Sequence, residues 1–160
     1  MSFLNIHHTP KEIKYIKRFS NELPDLFNKY ENVQIHKETN KIIVRINQRK
    51  FIICDNYPFW APRVYINGII YSSYVKTTSK RILRNLEPYS NSITTCICLC
   101  CNNILHRSNW SPTYHIQKIM DEIDQINLIK RRIKYKILTE EIAEKYKLPF
   151  SIENEILQFL

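Results

Sequence analysis

From Thr9 onward, apolar side chains recur at the spacing of a helix. Ile13, Ile16, Phe19 and Leu23 fall three or four apart, while Lys11, Lys14, Lys17 and Arg18 crowd the polar side. Thr9-Pro10-Lys11-Glu12 reads as a helix start, with Thr9 as cap, Pro10 at the first helical position and Glu12 completing a capping box. Pro24 interrupts or kinks the helix, and Leu26 and Phe27 carry its apolar face one turn further. The period then drops to two. Val33 to Lys37 alternates, Glu38-Thr39-Asn40 is a turn, and Ile42 to about Asn47 is a β-branched run. Gln48-Arg49 is a tight connection into Phe51-Ile52-Ile53-Cys54, and a fourth strand is expected around Arg63-Val64-Tyr65-Ile66. Such short connections imply an antiparallel meander.

The pattern weakens between about Asn67 and Thr95. Ser79 to Leu86 fits a short helix, and the remainder reads as a functional or family-specific insertion. After Pro112 the helical period returns in Ile116, Ile119, Met120, Ile123, Ile126 and Ile129, and continues through Ile133 and Ile137. This predicts one long helix or two joined ones, with Thr139 able to cap a further helix over Glu140 to Lys147 and a short amphipathic piece over Ile152 to Leu160. The order is helix, four strands, irregular chain, helices. That is an α+β plan with the helices at the ends of an antiparallel sheet.

Composition narrows the chemistry. The 160 residues suggest one domain over 1–160, with a core of about 9–128 and a helical extension over 129–160. A single glycine, Gly68, excludes a Gly-rich phosphate loop and leaves the tight turns to Asn, Asp and Pro. The formal net charge of +9 favours acidic partners. Five cysteines is an odd number, and neither a signal peptide nor a membrane-length apolar run is apparent. The expectation is therefore a reducing intracellular location, cytoplasmic or nuclear, without structural disulfides or membrane association.

Four of those cysteines fall between Cys96 and Cys101, and Trp110-Ser111-Pro112 follows them. Two motifs here carry a resemblance. Tyr57-Pro58-Phe59-Trp60-Ala61-Pro62-Arg63-Val64 resembles the Tyr-Pro-Phe-x-x-Pro-x-Val segment of ubiquitin-conjugating enzymes, and like it lies between two strands. Cys101-Asn102-Asn103-Ile104-Leu105 is similar to that family's Cys-Leu-Asp-Ile-Leu, and Trp110-Ser111-Pro112 to its Trp-Ser-Pro before a long helix. The Ile, Lys and Asn bias resembles the branch found in large DNA viruses, which would put the protein in a host cell.

The resemblance implies a ubiquitin-conjugating-enzyme fold and an enzyme that carries ubiquitin, or a similar modifier, as a cysteine thioester. The modifier would come from an activating enzyme and pass to a lysine or to a ligase cysteine. That is covalent nucleophilic catalysis without a cofactor. Cys101 keeps the family's spacing to Ile-Leu; Cys98 keeps an Ile-Cys-Leu context; Cys100 is a third choice. On a strand, Cys96, Cys98 and Cys100 would share one face as small core residues. The family's His-Pro-Asn tripeptide is missing, and Asn91 is the nearest stand-in for its asparagine. The partner surface implied comprises Phe59, Ser111 and Pro112, with Lys11, Lys14 and Lys17 as a basic docking face. Ser111 and Pro112 are further expected to cap and open the long helix.

Three other readings compete. A catalytically inactive adaptor of the same fold would bind ubiquitin-pathway proteins. A zinc site could draw on Cys98, Cys101 and His106 with Cys96 or Cys100, although no second Cys-x-x-Cys occurs. Nucleic acid could meet the basic run Lys130 to Lys136, but at helical spacing that run is an ordinary solvated face, and no nucleic-acid partner is expected.

Overall fold

The computed structural model describes residues 10–76, 79–86 and 99–149, with 151, 152 and 155 beyond them; the side chains of 10–15 and 102 are left aside. Helix α1 (Pro10–Lys29) leads into strands β1 (Val33–Glu38), β2 (Lys41–Ile46), β3 (Arg49–Cys54), β4 (Arg63–Ile66) and β5 (Ile69–Ile70). Helices α2 (Tyr71–Val75), α3 (Lys80–Leu86), α4 (Leu99–Asn102) and α5 (Ile116–Tyr146) follow. The sheet is an antiparallel meander in the order β1-β2-β3-β4-β5. The α+β plan and the meander therefore hold, with five strands rather than four. The fifth is only a two-residue hairpin return, too short to show a period. Its turn uses Asn67 and Gly68, both left-handed (φ 52° and 79°), and the turn between β2 and β3 uses Asn47 in the same way (φ 55°).

The alternation in the strands decides what is covered. Ile42, Val44 and Ile46 of β2, Phe51 and Ile53 of β3, and Val64 and Ile66 of β4 point to one face and are buried. Register keeps them stacked: Val44 lies opposite Phe51, and Phe51 opposite Val64. Against this face pack Phe19 and Leu26 of α1 and Ile116, Ile119, Met120, Ile123 and Ile126 of α5. Truncating a fully buried Phe such as Phe51 to Ala should cost about 3–5 kcal/mol. β1 forms an edge with His36 and Lys37 exposed, a charged edge that discourages further strand pairing.

Two helix expectations are corrected. α5 starts at Ile116, so Ser111 and Pro112 neither cap nor open it. The Ser111 and Thr113 hydroxyls bond each other at 2.8 Å, and the Tyr114 N–H reaches the Ser111 carbonyl at 2.9 Å, which closes a local turn instead. His115 is extended and gives α5 no side-chain cap. The cap comes from α1. Glu22, 3% exposed, accepts the Ile116 N–H at 2.9 Å and the Tyr57 hydroxyl, with Arg18 Nε at 3.4 Å and His115 Nδ1 at 3.5 Å. A carboxylate there satisfies one of the orphan donors of the first turn and complements the helix dipole. Thr139 caps no further helix. It is buried within α5, which runs unbroken to Tyr146 and closes at left-handed Lys147, where the Leu148 N–H meets the Ala143 carbonyl at 2.9 Å. Pro24 lies inside α1 without ending it. The expected C-terminal piece falls mostly outside the described residues.

Candidate active site

Cys100 and Cys101 sit on the single turn α4, not on a strand, so the shared strand face expected for Cys100 is not formed. A helical turn sends consecutive side chains about 100° apart. Cys100 is half-buried against the core, while Cys101 is exposed, their sulfurs 3.8 Å apart. Cys96, Cys98 and Asn91 lie outside the described residues.

The turn is held by amides that read main-chain carbonyls. Asn103, 5% exposed, donates its side-chain amide to the Cys100 carbonyl. Asn109 donates to the Cys101 carbonyl at 2.9 Å and to the Asn103 carbonyl at 3.1 Å, while its oxygen accepts the Ser108 hydroxyl at 3.1 Å. With both amide hydrogens engaged on these carbonyls, Asn109 has none left to donate elsewhere. Below the loop, Glu122 of α5 accepts the Ile104 N–H at 2.8 Å and the Tyr71 hydroxyl of α2 at 2.8 Å. Burial pushes the Glu122 carboxyl above the ordinary glutamate range, and the two donated hydrogen bonds oppose that rise without cancelling it. Burial and the same carboxylate push the Tyr71 phenol far above its usual value.

Trp110 ties this loop to the proline segment. Its indole N–H donates to the Pro58 carbonyl at 2.7 Å, and its ring lies 6.3 Å from Tyr57 and edge-on to Tyr114 at 5.8 Å. The Tyr57-Pro58 bond is cis. Beyond it Phe59 and Trp60 stand 74% and 70% exposed. They border an apolar cleft of about 430 Å³ completed by Ala61, Leu105, Arg107 and Trp110. So large an exposed aromatic pair needs an explanation beyond chance surface composition.

Of the other expected partner-binding residues, Lys17 is exposed, Ser111 is half-buried and Pro112 is exposed. The carbonyls of Pro112 and Thr113 face Arg18 Nη2 of α1 at 3.4 and 3.5 Å, so α1 and the loop after Trp110 share one surface. Lys11 and Lys14 lie on α1, but their side chains are among those left aside. Among the described residues no three His, Cys, Asp or Glu side chains gather as a metal site. Cys96 and Cys98, which the zinc alternative also needs, lie outside them. His106 Nδ1 is paired with the Ser108 hydroxyl at 2.8 Å. No helix among the described residues is long and apolar enough to cross a membrane.

Sequence reasoning missed Asn103, Asn109, Glu122, Tyr71 and Glu22. A signal existed for the two glutamates. Glu122 follows Ile119 by three and precedes Ile126 by four, and Glu22 stands in the same relation to Phe19 and Leu26. Each is a carboxylate on an apolar helix face, where it must find donors. Comparison of the chain with family models, with curated proteins and with solved structures finds no match.

Proposed function

We propose that the protein is a divergent ubiquitin-conjugating enzyme that carries ubiquitin, or a similar modifier, as a thioester on Cys101. The observation that carries this reading is the exposed Cys101 on a turn fixed by Asn103 and Asn109. Packing of the neighbouring Cys100 against the core favours Cys101 over it.

The Cys101 thiolate attacks the carbonyl carbon of the modifier's C-terminal thioester on the activating enzyme. A carbon–sulfur bond forms through a tetrahedral oxyanion, and the activating enzyme's thiolate leaves. In the second step a lysine amine, or a ligase thiolate, attacks the Cys101 thioester and the Cys101 thiolate leaves; the amine route also releases a proton. Both steps are acyl transfers with no redox change and no cofactor. The role of this chain is to hold the sulfur still and dock its partners. Phe59, Trp60 and Pro112 offer exposed apolar surface for a ligase, and Lys17 a cation for an activating enzyme. Such chemistry belongs inside a cell, in cytoplasm or nucleus, where activating enzyme and ATP occur.

The test is a thioester gel. The protein, an activating enzyme, ubiquitin and ATP should give an adduct one modifier heavier that disappears with reductant. Cys101→Ser should abolish it or convert it to a reductant-stable ester, whereas Cys98→Ser and Cys100→Ser should load normally. No adduct with any activating enzyme tried would overturn the enzymatic reading in favour of the adaptor.

A further inference from the structure

α5 is 31 residues long, about 45 Å at 1.5 Å per residue, and the core uses only part of it. On its far side Leu128, Tyr135, Leu138, Ile142 and Tyr146 are between 39% and 63% exposed. These residues fall on one face. Leu128, Tyr135 and Ile142 recur every seven residues, with Leu138 between the last two, which is the spacing of a two-helix seam. From Leu128 to Tyr146 the stripe runs roughly 27 Å, five turns of helix.

Up to Thr139 the charges around it are of one sign. Residues 125–139 contain five cations and no acid. Arg131 sits within the stripe, Lys134 on one flank, and Arg132 and Lys136 on the other. All four are exposed, and none makes an ion pair among the described residues. Four of the six acids of α5 form ion pairs elsewhere: Asp121 with Lys29, Asp124 with Arg49, and Glu140 and Glu141 with Arg81; Glu122 is bonded to Ile104 and Tyr71, and Glu144 lies about 160° around the helix from Leu128. A solvated helix face has no need of five large apolar side chains along its middle.

We propose that this face of α5 docks an acidic amphipathic helix from another protein. Its apolar residues would interlock with Leu128, Tyr135, Leu138 and Ile142, and its carboxylates would meet the flanking cations. A second copy in parallel register fits worse, because the stretch with five cations and no acid would lie against its like. A bilayer also fits worse: the stripe is narrow, and two of its five residues carry hydroxyls, whereas a helix lying in a membrane needs a broad Leu, Phe and Trp face. The proposal is independent of Cys101 and of thioester chemistry.

The test uses the full chain and a fluorescein-labelled three-heptad peptide with leucine at the a and d positions and glutamate at e and g. Saturable anisotropy is expected, weakening as salt rises towards about 0.5 M. Leu138→Glu or Ile142→Glu, both at exposed positions, should weaken binding by about tenfold or more without lowering the unfolding midpoint. Arg132→Glu with Lys136→Glu should do the same, and a peptide with glutamine at e and g should bind more weakly than its acidic parent. The proposal is overturned if the acidic peptide fails to bind or if the variants bind it as well as the parent chain. It is equally overturned if a DNA duplex or vesicles of anionic lipid bind this face more tightly than the peptide does, or if sedimentation shows a stable dimer that Leu138→Glu dissociates.

Discussion

Asn109 holds two carbonyls with one amide, and its removal tests whether the cysteine turn needs that clamp. Asn109→Ala leaves the Cys101 and Asn103 carbonyls without their partner. The expected cost is about 1–3 kcal/mol of stability, read from urea unfolding, together with slower modifier loading. Unchanged loading would make Asn109 structural only. Glu122 makes a prediction in pH. Its carboxyl is raised by burial, so the folded state holds that proton more tightly than the unfolded state. Its contribution to stability is therefore fully present at acid pH and declines as pH climbs from the ordinary glutamate value, about 4.3, through the raised one. Glu122→Gln should flatten that limb of the stability–pH curve, measured by thermal unfolding across the acid range; a parallel curve would contradict the assignment. Both glutamates were legible as carboxylates on apolar helix faces. Asn103 and Asn109 were not, because an asparagine in a loop looks the same in sequence whether it faces water or a carbonyl.

At the scale of elements, what reads well from sequence is what depends on period alone. The strands β1 to β4, the body of α1 and the long apolar face of α5 follow from spacing. What failed was decided by contacts that spacing does not show. Ser111-Pro112 is a sound local helix start, yet α5 begins at Ile116 because Glu22, ninety-four residues earlier, supplies the cap there. Thr139 resembles a cap but lies in a helix already propagating on both sides. The cysteine run resembles a strand by alternation, but Leu99–Asn102 makes a turn whose carbonyls are claimed by the amides of Asn103 and Asn109. The Glu22 clamp has a measurable consequence. Glu22→Ala strands two donors, the Ile116 N–H and the Tyr57 hydroxyl, at about 1–3 kcal/mol each, whereas Tyr57→Phe removes one donor and leaves the carboxylate its other contacts. The alanine variant should therefore have the lower unfolding midpoint of the two, and the reverse order would remove Glu22 from its place as the joint between α1 and α5.

For the whole molecule, hydrogen bonds link three features: Trp110 ties the proline segment to the loop that follows the exposed Cys101 turn, and Arg18 of α1 meets the residues after Trp110. The motifs Tyr57 to Val64 and Cys101 to Pro112 were legible in the sequence; the Trp110–Pro58 bond that joins them was not, because no local pattern shows where an indole N–H finds its acceptor. The choice among cysteines was not legible, because four of them in six residues satisfy several registers at once. A chain in which Cys54, Cys96, Cys98 and Cys100 are replaced by serine or alanine, leaving Cys101 alone, settles that choice most directly. Incubated with activating enzyme, ubiquitin and ATP, and weighed intact by mass spectrometry, it should gain one modifier less one water, and lose it to reductant. If this chain stays unmodified while remaining folded, Cys101 is not the nucleophile; if the parent chain also stays unmodified, the thioester account itself is contradicted.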